Sequence, residues 1–340
     1  MDGDLLHPLP QGLYCPAGDF FIDPMLPVER AVVTHAHGDH ARSGSGLYHV
    51  AEAGIGLMRE RLGADATLHA HPYGERFTLG DTVVSLHPSG HVLGAAQVRI
   101  EGCGKVAVVS GDYKRDPDPT CEPFEPVPCD VFVTESTFGL PIYRWPPMSR
   151  VIDDLLGWLE DCKARGVPAV LFCYALGKAQ RVLAELVRRD PDRVVHLHGA
   201  MVRLVEAYRD AGVMLSPTVP VSDSAKGRDF AGELVMAPPS AAGSPWMRRF
   251  AKASTAFASG WMQVRGARRR RGYDRGFVVS DHADWPGLLR SVEDSRAKRV
   301  YVTHGDGETL IRYLTERGVD ARPLRSLGAM PQPRTSEEGD

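Results

Sequence analysis

Thr34-His35-Ala36-His37-Gly38-Asp39-His40 directly follows the apolar run Ala31-Val32-Val33, and its reading decides that of the whole chain. Three imidazoles and a carboxylate this close cannot be packing, because burying them together without partners is prohibitively costly. Neutral imidazoles and a carboxylate suit zinc or another divalent first-row ion. A chain that leaves the strand in a turn lets His35 and His37 face one ion while Asp39 and His40 face another. The same grammar, an apolar strand that stops at one polar residue, recurs downstream. His91 lies in Pro88-Ser89-Gly90-His91-Val92-Leu93-Gly94 after the run Thr82-Leu86, with two glycines that permit close backbone approach. Asp112 ends Val106-Ala107-Val108-Val109-Ser110-Gly111-Asp112, and His304 ends Val300-Tyr301-Val302-Thr303-His304. Together these supply ligands enough for two ions. Asp112 is the natural bridge, since a carboxylate can share its oxygens between cations about 3.5–4 Å apart.

His35, His37, Asp39 and His40 match the H-x-H-x-D-H signature, and the chain resembles the metallo-β-lactamase fold. The resemblance implies an α/β, four-layer αββα sandwich. One divalent ion would take His35, His37, His91 and Asp112, and the other Asp39, His40, Asp112 and His304. Asp23, at the end of Phe20-Phe21-Ile22, is similar to the family's early aspartate, which orients the site. The fold alone does not choose a substrate, because one scaffold serves many chemistries.

The later motifs narrow the choice. Thr134-Glu135-Ser136-Thr137-Phe138-Gly139 is similar to the E-S-T-Y-G segment of the β-CASP nucleases, Ser280-Asp281-His282-Ala283-Asp284 resembles their second motif, and His304 occupies the third. Ala175-Leu176-Gly177-Lys178-Ala179-Gln180, Ser259-Gly260-Trp261-Met262 and the run Asp274 to Trp285 look like the bacterial DNA ligase-associated exonucleases. The resemblance implies a two-metal phosphodiesterase holding zinc, with manganese the alternative, that acts as a DNA exonuclease in repair alongside a ligase and a helicase. An RNase of the mRNA 3′-end-processing or RNase J kind is the second reading, because β-CASP enzymes acting on RNA usually carry His in the third motif. A lactonase or thioesterase is disfavoured by the Glu135 and His282 motifs, and a non-catalytic scaffold by the full set of ligands.

A phosphodiester repels nucleophiles, so its hydrolysis needs cations beside the nonbridging oxygens and an activated water. Asp39 is placed to orient that water as well as to ligate. His282 is the expected general acid, because an imidazole titrates near working pH. Glu135 is expected to hold the imidazolium through a hydrogen bond, raising its pKa. Lys178, at a helix start, and the run Arg268, Arg269, Arg270 and Arg271 are candidate phosphate contacts. His69 and His71, and His196 and His198, repeat the H-x-H spacing without a following D-H and are expected to be strand histidines.

At 340 residues the chain is long enough for about two domains. Short β-rich runs dominate up to about residue 144, with one helical stretch expected near 46–62. From Ser149 amphipathic helices alternate with apolar strands. The implied organisation is a metallo-β-lactamase domain over 1–144 and 273–330, an inserted α/β β-CASP domain over 145–272, and a disordered tail over 331–340. Six scattered cysteines form no C-x-x-C pair, no basic leader precedes an apolar stretch, and no apolar run is long enough to span a membrane, so a cytoplasmic location is expected. The formal charge of -3 conceals an asymmetry: residues 145–275 hold 21 Lys+Arg against 13 Asp+Glu, or +8, leaving 19 against 30, or -11, elsewhere. A basic insert fits a phosphate backbone, and an acidic body fits cations.

Overall fold

The computed structural model describes residues 5–264, 272–305 and 307–327. The chain forms a mixed α/β structure that divides into two compact units, one running to Ile142 and resuming at His282, the other spanning Tyr143–Asp281.

The first unit carries two sheets. One contains β1 (His7–Leu9), β2 (Gly12–Cys15), β3 (Phe20–Ile22), β4 (Arg30–Val32), β5 (Leu47–Ala51) and β6 (Leu68–His71) in sequential order. The other contains β7 (Arg76–Leu79), β8 (Thr82–Pro88), β9 (Ala96–Gly102), β10 (Lys105–Val109), β11 (Val131–Glu135), β18 (Arg299–Thr303) and β19 (Asp320–Pro323), ordered β19-β18-β11-β10-β9-β8-β7. Alternation along the strands gives each sheet one apolar face. Leu13, Phe20, Ile22 and Val32 of the first sheet share a core with Val84, Leu86, Val98, Ile100, Val109 and Val133 of the second. The outer face of the second sheet, through Val108, Phe132 and Val300, packs on α5 (Trp285–Ser295) and α6 (Glu308–Thr315), which bury Trp285, Leu288, Val292, Leu310 and Leu314. Asp284 starts α5 by accepting the Gly287 N–H at 2.9 Å, satisfying one of the orphan donors of the first turn.

Leu47–Ala51 is a strand, and the helix expected near 46–62 is confined to α1 (Ile55–Leu62). The β-favouring Tyr48 and Val50 are buried, and Ala31 and Val32 pair with Tyr48 and His49, so sheet pairing takes this segment over local helical pattern.

The second unit is built on one parallel sheet ordered β14-β13-β15-β12-β16-β17, comprising β12 (Ala169–Phe172), β13 (Val195–Leu197), β14 (Thr218–Pro220), β15 (Leu234–Ala237), β16 (Ser254–Ala258) and β17 (Arg275–Phe277). Its helices are α2 (Met148–Ala164), α3 (Lys178–Arg189) and α4 (Gly199–Asp210). Val151, Ile152, Leu155, Trp158, Leu159 and Cys162 recur at helical spacing and bury one stripe of α2. Because β17 pairs with β16, residues 275–277, assigned by sequence to the returning domain, belong to this sheet. The tail 331–340 and Arg268–Arg271 lie outside the described residues. Among the described residues, no helix is long and apolar enough to cross a membrane.

Between β5 and β6, His49 Nδ1 lies 2.9 Å from His71 Nε2, and both rings stack on Phe77. His71 also faces Glu75 at 3.4 Å. Burial, then the neighbouring His71 and His69 and Arg30, push the His49 imidazole down to about 4. The folded state therefore favours neutral His49. Its contribution to stability is complete above an unfolded value near 6.5 and is lost as pH falls toward 4. Urea titrations at pH 7 and pH 4.5 should show a smaller acid-induced loss of stability in His49→Phe than in the native chain; equal losses would assign the acid sensitivity elsewhere.

Candidate metal centre

Four strands of the first unit run into the loops that bear candidate ligands. β4 runs into Thr34 and the histidine cluster, β8 into His91, β10 into Asp112, and β18 into His304. Backbone bonds pin these loops to one another: Ala96 N–H donates to the Thr34 carbonyl at 2.8 Å and Lys114 N–H to that of Ser89 at 3.0 Å. The Ser89 hydroxyl donates to the Asp112 carbonyl at 2.8 Å.

Gly111 makes the approach possible. Its φ is +55°, and a Cβ there would lie 2.7 Å from the Thr34 Cβ, so only glycine lets the chain carry Asp112 against the histidine loop. Gly90, before His91, has the same character, with a φ of +71° and the Lys114 carbonyl oxygen 2.5 Å from where a Cβ would stand.

The donor atoms converge as the sequence pattern requires. His37 Nδ1 is 3.0 Å from His35 Nε2 and 3.1 Å from His91 Nε2, while Asp112 Oδ2 is 3.5 Å from His35 Nε2 and 3.7 Å from His91 Nε2. Ligands of a tetrahedral zinc at about 2.0–2.1 Å lie about 3.3–3.4 Å apart, so these spacings are those of one cation's coordination shell. Neutral imidazoles with facing lone pairs lack protons to bond one another in every pair, and a cation resolves that conflict. A second group gathers across Asp112. His40 Nε2 lies 3.5 Å from Asp112 Oδ2 and 3.6 Å from Asp39 Oδ2, and the His304 ring centre is 5.2 Å from that of His40. His40 Nε2 is buried without a hydrogen-bond partner. His40, Asp112 and His304 offer donor atoms all within 4.8 Å of one another. Asp112 thus belongs to two groups of residues, each of which could hold a metal ion.

The electrostatics agree with this geometry. Burial, then the charges of His40 and His91, hold the His35 imidazole well below its ordinary range and keep it neutral. Burial pushes the Asp112 carboxyl up, but the cationic tendency of His40 and His282 outweighs it and holds Asp112 well below the usual carboxylate range. Asp39 is lowered in the same way, with His40 prevailing over burial. Burial disfavours the charged form of His40, yet Asp39, Asp112 and Asp23 together raise it well above 6.5. Before a cation binds, His40 is thus the proton that balances a carboxylate cluster.

His282 and Glu135 form a pair in the same unit. Glu135, at the end of β11 and fully buried, has Oε2 2.9 Å from His282 Nδ1, and its Oε1 accepts the Tyr113 N–H at 2.8 Å. The His282 ring centre is 4.7 Å from that of His91 and 5.9 Å from that of Phe138. Parallel register sets Glu135 opposite Thr303, so His304 emerges beside Ser136. The Ser136 hydroxyl donates to the carbonyls of Thr303 and His304, holding His304 in a left-handed conformation with φ 53°.

No family model matches the chain. Over 338 residues, 97% of its length, it is 35% identical to a protein of Opitutus terrae named probable DNA ligase, of which 32% is aligned. The chain therefore spans about a third of that relative. It is 28% identical over 219 residues to a ribonuclease of Thermus thermophilus, covering 56% of this chain and 48% of that one. It is 31% identical over 128 residues to an endoribonuclease of Gibberella zeae, covering 37% and 15%. Among solved structures, a protein of unknown function from Enterococcus faecalis superposes with a TM-score of 0.55 at 11% identity, over 80% of this chain and 74% of that one. At that identity the likeness shows the fold alone.

The first unit thus brings together His35, His37, Asp39, His40, His91, Asp112, His304, Glu135 and His282. Asp23 stands behind them, with Oδ2 2.7 Å from His40 Nδ1. Lys178 is placed differently from the phosphate-facing cation expected of a helix start. It is buried in the second unit, its Nζ 2.7 Å from Asp281 Oδ1 and 4.5 Å from the centre of the Tyr174 ring. Its charge is therefore held by a carboxylate and an aromatic face rather than presented to solvent. Thr34 carries no chemical signal of its own in the sequence, yet its hydroxyl donates to Asp23 and lies 3.0 Å from His35 Nδ1.

Replacing Gly111 by alanine should lower the stability of the metal-free protein by about 1–3 kcal/mol. A urea titration checks this, and an unchanged midpoint would contradict the close approach described.

Proposed function

We propose that the protein is a metal-dependent nuclease that hydrolyses nucleic-acid phosphodiester bonds, with DNA as its substrate and end-directed cleavage serving repair together with a ligase. The observation that carries the reading is the coincidence in one unit of two donor groups sharing Asp112 with a buried Glu135–His282 pair beside them. A phosphodiester leaving group needs a proton donor, and the Glu135–His282 pair offers one beside the donor groups. DNA is favoured by likeness over nearly the whole chain to a protein named as a DNA ligase, while the basic composition of residues 145–275 fits the phosphate backbone of either nucleic acid. The ribonuclease relatives and His304 favour RNA as the second reading.

His35, His37, His91 and Asp112 would hold one divalent ion, and Asp39, His40, Asp112 and His304 the other. Zinc suits the histidine-rich set, with manganese as the alternative. Bound there, the ions would supply an activated water and neutralise the phosphate. The chain's own residues do the rest. Asp39, partly exposed, would orient that water as well as ligate. Glu135 fixes His282 by accepting from Nδ1–H, and the imidazolium so held would give its Nε2 proton to the departing oxygen. The phosphate contacts assigned to Lys178 and Arg268–Arg271 belong to this proposal through the Arg268–Arg271 run, since Lys178 is already paired.

End-labelled single-stranded DNA and RNA of matched sequence test the substrate: faster DNA loss supports the proposal, and RNA degraded at least as fast overturns the choice of DNA. His282→Ala should lose about 10²–10⁴-fold in cleavage rate with metal content unchanged, whereas Asp112→Ala should lose metal as well. Full activity of His282→Ala at neutral pH would refute the general-acid role.

A further inference from the structure

Thr34 sits behind the histidine cluster, 1% exposed, where its neighbours read as a hydrogen-bond relay. Its backbone N–H donates to Asp23 Oδ1 at 2.8 Å and its hydroxyl to Asp23 Oδ2 at 2.7 Å. With that hydroxyl proton committed, the oxygen has only lone pairs left to offer, and His35 Nδ1 stands 3.0 Å away. His35 must therefore carry its proton on Nδ1. Its Nε2 lone pair is then turned toward His37 and Asp112, the side where a cation would be held. Asp23 Oδ2 accepts from His40 Nδ1 as well, at 2.7 Å, which directs His40 Nε2 toward Asp39 and Asp112. One carboxylate and one hydroxyl thus set the tautomer of His35 in one donor group and the ring orientation of His40 in the other.

We infer that Thr34 is a positioning residue that, through its hydroxyl and Asp23, locks His35 in the tautomer able to bind a cation and couples the orientation of His35 to that of His40. This rests on the metal-binding reading above. Asp23 alone reaches His40 but not His35; the hydroxyl extends its hold across the cluster. Backbone position adds to the control, since Asp23 adopts φ 44°, a conformation whose cost is met by the two bonds it accepts from Thr34.

The test is the affinity of the full, metal-free chain for zinc alone, measured by competition with a chelator. Thr34→Val keeps the branched shape and removes the hydroxyl, and it should weaken zinc binding about 10–100-fold. Thr34→Ser keeps the hydroxyl and should bind within about threefold of the native chain. Thr34→Ala, which removes the same hydroxyl without adding bulk, gives the same reading should the valine variant not fold. Native affinity in the variants lacking the hydroxyl would overturn the inference, as would equal losses in Thr34→Ser and Thr34→Ala, which would make the residue's contribution one of packing. A native chain that takes up no zinc or manganese would instead refute the metal-binding reading itself, so the two failures are distinguishable.

Discussion

The arrangement depends on one buried carboxylate. Asp112 is 6% exposed and has the Nε2 atoms of His35, His40 and His91 within 3.5–3.7 Å. An ionised carboxylate taken out of water costs several kcal/mol unless opposite charge accompanies it, and this one is ringed by groups able to accept either a proton or a cation. The cluster is therefore unstable as a set of neutral side chains and well balanced as a holder of positive charge. Nearby groups follow from that constraint: Asp39 and Asp23 add negative charge on the His40 side, while His35 stays neutral on the other.

The fold serves the same end by alignment. β3, β4 and β5 run parallel in one sheet, and β10, β11 and β18 run parallel in the other. Polar groups at the carboxyl ends of parallel strands collect along one edge, the general location for sites in open α/β sheets. The return of the chain as β18, after an excursion of more than a hundred residues, places His304 next to the Glu135–Ser136 turn it must meet. Rigid strands supply position and short loops supply chemistry.

Much of this was legible in the sequence because metal-site chemistry needs particular residue types at fixed spacing. His35, His37, Asp39 and His40 identify themselves locally, and His91, Asp112 and His304 do so by ending apolar strands. The helix Lys178–Arg189 and the strands β12, β13, β15 and β16 are likewise visible from amphipathic period and apolar runs. What was not legible depends on pairing at a distance. Leu47–Ala51 is a strand because β4 and β6 flank it. Lys178 is paired because Asp281, more than a hundred residues away, reaches it. Thr34 looks like the end of a strand until Asp23 and His35 are seen on either side of its hydroxyl. Its type suggested no chemistry, and only its partners reveal one.

The proposed chemistry requires two cations to share Asp112. Anomalous diffraction from crystals of the full chain grown with zinc or manganese tests it most directly. Two peaks about 3.5–4 Å apart are expected, one among His35, His37, His91 and Asp112 and the other among Asp39, His40, Asp112 and His304. No peak in either group, or peaks that leave Asp112 unligated, would contradict it.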